Sequence, residues 1–207
     1  MAKDLIITIA RSYGSGGRTL AIKLSEELGI PFYDRDIIKT ASEDSGISED
    51  MFGSADEKIT MGIAAGPGKY LGKPVDPNHL LYLSERNLFE LQAEAIKKLA
   101  SQGSCIFVGR CADYILKSRE NVVSLFLYGT EQNCLERLHT QLGGDYDELL
   151  KKMDSINKRR AYYYKYYTGH YWNDAANYDL CLDTGKMTYD QLVKGITAYL
   201  KIKEMEL

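Results

Sequence analysis

The run Leu5-Ile6-Ile7-Thr8-Ile9-Ala10-Arg11-Ser12-Tyr13-Gly14-Ser15-Gly16-Gly17-Arg18-Thr19 joins an apolar segment to a glycine-rich turn. Residues 5–10 are short, apolar and β-branched, the composition of a strand buried on both faces of a parallel sheet. From Thr19 onward, Leu20, Ile22, Leu24 and Leu28 recur at helical spacing, and Gly29 ends the pattern. The order is strand, glycine turn, helix. A helix that starts directly after such a turn presents unbonded backbone N–H groups and the positive end of its dipole, and together these hold an anion.

Ser12–Thr19 fits the eight-residue phosphate-loop pattern GxxxxGK[ST]. Gly17, the cation and the hydroxyl are in register, while Ser12 replaces the first glycine and Arg18 the lysine. Arginine reaches phosphate bidentately, with more bulk than lysine. Tyr13, Gly14, Ser15, Gly16, Gly17, Arg18 and Thr19 are therefore the candidate ATP-binding residues. Thr19 is the candidate magnesium ligand, because a hydroxyl at that position can reach a phosphate-bound cation.

Outward from this loop the same alternation continues. Ile30-Pro31-Phe32-Tyr33 is extended and leads into Asp34-Arg35-Asp36 and another helix. Cys105–Val108, Val122–Leu127 and Leu180–Leu182 are strand-like, with helical stretches between them. Strands alternating with helices predict an α/β fold, a parallel sheet covered by helices on both faces. Ligands in such sheets sit at the carboxyl ends of strands. Polar groups gather there: Ser12–Arg18, Arg110 and Asp183-Thr184. The glycines and prolines from Phe52 to Pro77 predict a mobile loop. Asn78 is placed to cap a long helix from His79 to about Gln102. Thr188-Tyr189-Asp190-Gln191 has the form of a capping box at the start of the last helix.

Composition bounds the function. The 207 residues carry 44% hydrophobic and 27% charged side chains, enough for one globular domain. The net charge of −3 argues against a long nucleic-acid footprint. No apolar run approaches the about 20 residues that cross a bilayer, and Met1–Lys3 lacks the features of a signal peptide, so a cytoplasmic protein without membrane contact is expected. Cys105, Cys111, Cys134 and Cys181 form no CxxC pair and no zinc spacing with His79, His139 and His170; they read as small hydrophobes or free thiols.

Lys151, Lys152, Lys158, Arg159, Arg160 and Lys165 lie on one helical stretch opposed only by Asp154. Cations are needed around a phosphoryl group in transfer, and a helix carrying arginines can deliver them. The lysines read as a solvated face, Arg159 and Arg160 as functional. The tyrosines from Tyr162 to Tyr171 can stack on a base, form a packed aromatic seam, or serve as a contact between copies of the chain. Trp172 reads as core or interface.

With these residues in view, the sequence resembles the cytidylate kinase-like family of P-loop kinases. The resemblance runs through Ser12–Thr19, Ile30-Pro31-Phe32-Tyr33-Asp34, Val108-Gly109-Arg110, Asn157-Lys158-Arg159-Arg160, Tyr166-Tyr167-Thr168-Gly169 and Tyr178-Asp179-Leu180. It implies a P-loop NTPase core (about 1–33, 103–135 and 178–207), a helical lobe for the nucleoside monophosphate (about 34–102) and a lid (about 136–177). It implies ATP and Mg2+ as cofactors and phosphoryl transfer to a small acceptor, most simply CMP or dCMP. Asp34, Arg35, Gly109 and Arg110 would face the acceptor. Arg18, Arg137, Arg159 and Arg160 would act on the transferred group, and Thr184 would lie near the adenine. The family's Gly-Arg-Asp motif appears as Gly109-Arg110-Cys111, without its aspartate. Its lid pattern Arg-Asp-x-x-Asp-x-x-Arg appears as Met153-Asp154-Ser155-Ile156-Asn157-Lys158-Arg159-Arg160, keeping Asp154 and Arg160. Two other readings remain open: a kinase for a different small molecule or a protein, and a nucleotide-binding regulator with little catalysis.

Overall fold

The computed structural model describes residues 4–60 and 70–203, with the side chains of 55–60 left aside. Its strands are β1 (Ile6–Arg11), β2 (Phe32–Tyr33), β3 (Cys105–Val108), β4 (Val122–Tyr128) and β5 (Leu180–Asp183). All pair in parallel, in the order β2-β3-β1-β4-β5, so β1 is central. The helices are α1 (Gly17–Leu28), α2 (Asp36–Ser45), α3 (Glu49–Thr60), α4 (Glu85–Ala100), α5 (Ala112–Ile115), α6 (Glu131–Leu142), α7 (Tyr146–Thr168) and α8 (Tyr189–Ile202).

Side-chain alternation along β1 explains the two layers. Leu5, Ile7 and Ile9 pack with Leu20 and Leu24 of α1 and with Leu192, Ile196 and Leu200 of α8. Ile6 joins Phe107 of β3 in a second core with Leu88, Phe89 and Ile96 of α4. The sheet is thus covered on both faces, as a continuous β-branched run requires.

Two sequence expectations are corrected. The helix expected from His79 starts at Glu85, because Ser84 rather than Asn78 caps it. Asn87 ties down the chain before it, accepting from the Val75 amide at 2.8 Å and donating to the Tyr82 carbonyl at 2.8 Å. The glycine-rich stretch from Phe52 is not a loop at its start: Phe52 is fully buried in α3 and belongs to the second core. Residues 61–69 of that stretch lie outside the described residues.

Helix α7 is continuous over 23 residues. Asp145 caps its start, accepting from the Asp147 and Glu148 amides, and Gly169 ends it. Its tyrosines form the packed seam among the readings above. Tyr167 stacks on Phe89 with ring centroids 3.8 Å apart, and Tyr164 is buried. Tyr162 and Tyr171 stay exposed. Trp172 is core-side, edge-on to Phe126. The four cysteines are free thiols, three of them buried. Burial pushes the Cys105 thiol up to about 12, which leaves it unreactive at neutral pH. Among the described residues no helix is long and apolar enough to cross a membrane.

Candidate functional site

A cavity of about 690 Å³ opens at the carboxyl ends of β1 and β3. Its floor is the glycine turn. Ser12 keeps the turn attached to the sheet, its amide donating to the Leu127 carbonyl of β4 at 2.9 Å. Ser15 then closes it: amide and hydroxyl both donate to the Ser12 carbonyl, the hydroxyl at 2.8 Å. Gly16 adopts φ 80° and starts α1. The amides of Gly17, Arg18 and Thr19, the first helical positions, have no helical carbonyl behind them and carry the positive end of the dipole. Arg18 and Thr19 line the cavity. Ser15 is buried with its hydroxyl turned inward, and the Tyr13 amide is taken by Asn157 Oδ1 at 2.7 Å. The anion nest therefore rests on residues 16–19.

Opposite the turn, β3 ends in three successive left-handed residues, Gly109 at φ 81°, Arg110 at 58° and Cys111 at 55°. The left-handed form costs a residue with a side chain about 1 kcal/mol or more, and such strain is held where a side chain must be aimed. Arg110 lines the cavity and donates to Gln92 Oε1 at 3.1 Å. Asp34 and Arg35, which follow β2, line it too. Lys39 does not; it pairs with Glu43 at 3.9 Å.

From α7, Arg159 and Arg160 reach the cavity. Arg160 Nη1 donates to the Arg11 carbonyl at 2.8 Å, and its guanidinium stands 5.7 Å from the Tyr13 ring centre. Burial, with neighbouring Arg11 adding to it, lowers its pKa to about 9. Lys151, Lys152, Lys158 and Lys165 are exposed, the solvated face expected of them.

Arg137 and Thr184 are not brought to this cavity. Arg137 Nη1 donates to the Gly14 carbonyl at 2.6 Å and Nη2 to the Thr184 carbonyl at 3.1 Å. The Thr184 hydroxyl donates to the Tyr128 carbonyl at 3.0 Å. Arg137 braces the turn against the segment after β5 instead of facing a ligand in the cavity. Its donors are spent on carbonyls because α6 packs beside the turn.

Three cavity-related residues escaped the sequence reading. Arg11 ends β1 and lines the cavity; its place at a strand's carboxyl end was the available signal. Asn157, the latch on Tyr13, sits inside the lid pattern quoted above. Asp113 lines the cavity and accepts from the Tyr164 hydroxyl at 2.6 Å. Burial raises its carboxyl to about 6, with the Tyr164 hydroxyl and backbone amides opposing. No sequence pattern pointed to it.

The arrangement can hold phosphates at 16–19 and a second anionic ligand near Arg110, within one cavity. The family model described as cytidylate kinase-like matches residues 6–186. The cytidylate kinase of Methanothrix thermoacetophila is 28% identical over 183 residues, 88% of this chain and 90% of that one. An uncharacterised protein from Eubacterium ventriosum, of known structure, is 26% identical with a TM-score of 0.69, over 95% of this chain and 98% of that one. Shikimate kinase from Bacteroides thetaiotaomicron superposes with a TM-score of 0.55 at 14% identity, over 95% and 98% of the two chains, a likeness of fold alone.

Proposed function

This chain belongs to the cytidylate kinase-like family, and on that premise we propose that it transfers a phosphoryl group from ATP to a nucleoside monophosphate, CMP or dCMP. The observation that carries the proposal is that the anion nest at the start of α1 and Arg110 after β3 open into one cavity.

The residues present fit MgATP: left-handed Gly16 precedes a helix whose first amides have no partner among the described residues, and Thr19 lines the cavity three residues on. MgATP supplies the phosphoryl group, and the metal's charge, when bound. The amides of 16–19 would hold the phosphates, the Thr19 hydroxyl would be the protein's ligand to the metal, and Arg18, on the exposed side, would add positive charge to the phosphates. Arg110, with Arg35 lining the same cavity, binds the acceptor's anionic group. Arg159 and Arg160 bring positive charge over the transferred group and help exclude water. The chain's part is positioning and charge stabilisation, with no covalent intermediate. A contact between copies through α7 and the segment after it would have exposed Tyr162 and Tyr171 to use.

One observation favours a second acceptor. Cys111, where the family's aspartate belongs, is buried and apolar in character, so another small anionic molecule is the alternative to cytidine nucleotides. A coupled ADP-release assay over the common monophosphates tests the proposal. The wild type should turn over at least one, and Arg18→Ala should lower kcat roughly 100-fold. If the wild type turns over none, the nucleotide-kinase reading is wrong.

A further inference from the structure

Arg11 sits between two residues that lack side chains. A Cβ added at Gly17 would stand 2.7 Å from Arg11 Cγ, and one added at Gly109 would overlap Nη1. The guanidinium thus fills a slot between the start of α1 and the end of β3, a slot that side chains at 17 and 109 would close.

A guanidinium carries five N–H donors, and buried donors are almost always bonded. Asp34 Oδ1 stands 3.6 Å from Nη2, an ion pair beyond hydrogen-bond reach. No side-chain N–H of Arg11 makes a hydrogen bond within the described residues, although its side chain is only 20% exposed. Burial lowers its pKa, Asp34 opposes that, and Arg110 adds to it. The backbone of Arg11 is fixed too, because its carbonyl accepts from Arg160. A cation about four-fifths buried, with unspent donors and held rigidly on a cavity wall, is a receptor for an oxyanion. Its neighbours place it on the acceptor side: Asp34 follows β2 and Gly109-Arg110 follow β3, while the amides of 16–19 and Arg18 serve the other side.

We propose that Arg11 is a specificity-determining residue whose terminal N–H groups receive an oxyanion of the acceptor, a phosphomonoester or a carboxylate, between the phosphate loop and Arg110. The proposal rests on the phosphotransfer reading only for naming that ligand the acceptor.

The test is calorimetric binding to the full chain, so it needs no turnover, and its outcome is separate from that of the kinase assay. The phosphate loop is first saturated with ADP, and inorganic phosphate and acetate are then titrated in turn. The wild type should bind one of the two: phosphate if the acceptor is a phosphomonoester, acetate if it is a carboxylic acid. Arg11→Gln should weaken that binding by about 10- to 100-fold, as expected for lost charge-assisted bonds, and change ADP affinity by less than about twofold. Arg11→Lys keeps the charge without the planar fork and should fall between. The proposal is overturned if the wild type binds neither anion up to about 10 mM. It is also overturned if Arg11→Gln leaves the affinity unchanged or loses ADP in equal measure. If Arg11→Gln fails to fold by circular dichroism, an unchanged anion affinity in Arg11→Lys overturns it.

Discussion

The Tyr13 amide donates to Asn157 Oδ1 at 2.7 Å, joining the phosphate loop to α7 across 144 positions of sequence. Arg160, one turn further along α7, donates to the carbonyl of Arg11, two residues before Tyr13. Helix α7 therefore grips both sides of the loop's first residue, Ser12. Removing the side chain in Asn157→Ala should cost about 1 kcal/mol by urea denaturation, because the amide loses a partly buried partner. Amide exchange at Tyr13 should speed up. Unaltered exchange there would show that the bond does not hold the loop.

Gly16 and Tyr189 meet at the same loop. A Cβ at residue 16 would overlap the Tyr189 hydroxyl, and φ there is 80°. Among the described residues that hydroxyl is buried without a hydrogen-bond partner. Tyr189→Phe should therefore be neutral or stabilising, by up to about 1–2 kcal/mol. Gly16→Ala should cost more than about 1 kcal/mol, from the left-handed backbone and the clash together. Adding Tyr189→Phe to Gly16→Ala should recover part of that loss. A strictly additive cycle of melting measurements would rule out the contact as the source of the cost.

Asp113 makes stability depend on pH. Its carboxyl titrates near 6 in the folded chain against 3.8 as the ordinary value. Between about pH 4 and pH 6 the folded state holds a proton that the unfolded state has released, so this contribution falls as pH rises through that window. It is fully present below about pH 4, and its loss above pH 6 amounts to about 3 kcal/mol. Asp113→Asn cannot titrate and should lack the effect. Scanning calorimetry should find the wild-type Tm dropping relative to the variant from pH 4.5 to 7. A constant gap across that range would refute the assignment.

Arg137 spans the Gly14 and Thr184 carbonyls with two charged hydrogen bonds. Truncation in Arg137→Ala should destabilise the fold by about 1.5–3 kcal/mol. Under the proposed reaction, the loosened loop should also raise the KM for ATP more than that for the acceptor. If kcat fell with both KM values unchanged, Arg137 would act on the transferred group after all.

The sequence by itself determined the alternation of strands and helices along the chain, the glycine turn that opens α1 and the place of Arg110 just after β3. Each of those depends on neighbours within a few residues: a β-branched run, a glycine turn, a helical apolar period. The start of α4 was misread because Asn87 and Ser84 organise the chain before it, and no local pattern announces which of several polar residues will cap. Arg137 was expected to face a ligand and instead binds two carbonyls, since its direction depends on how α6 lies against the loop.

Arg11, Asn157 and Asp113 were settled only by the tertiary structure. Arg11 becomes a cavity-lining cation because Gly17 and Gly109 leave it room and Asp34 stands just out of hydrogen-bond reach. Those residues come from three separate segments of the chain. A strand's composition fixes that it is a strand, but the environment of its last side chain is set by what the fold packs around it.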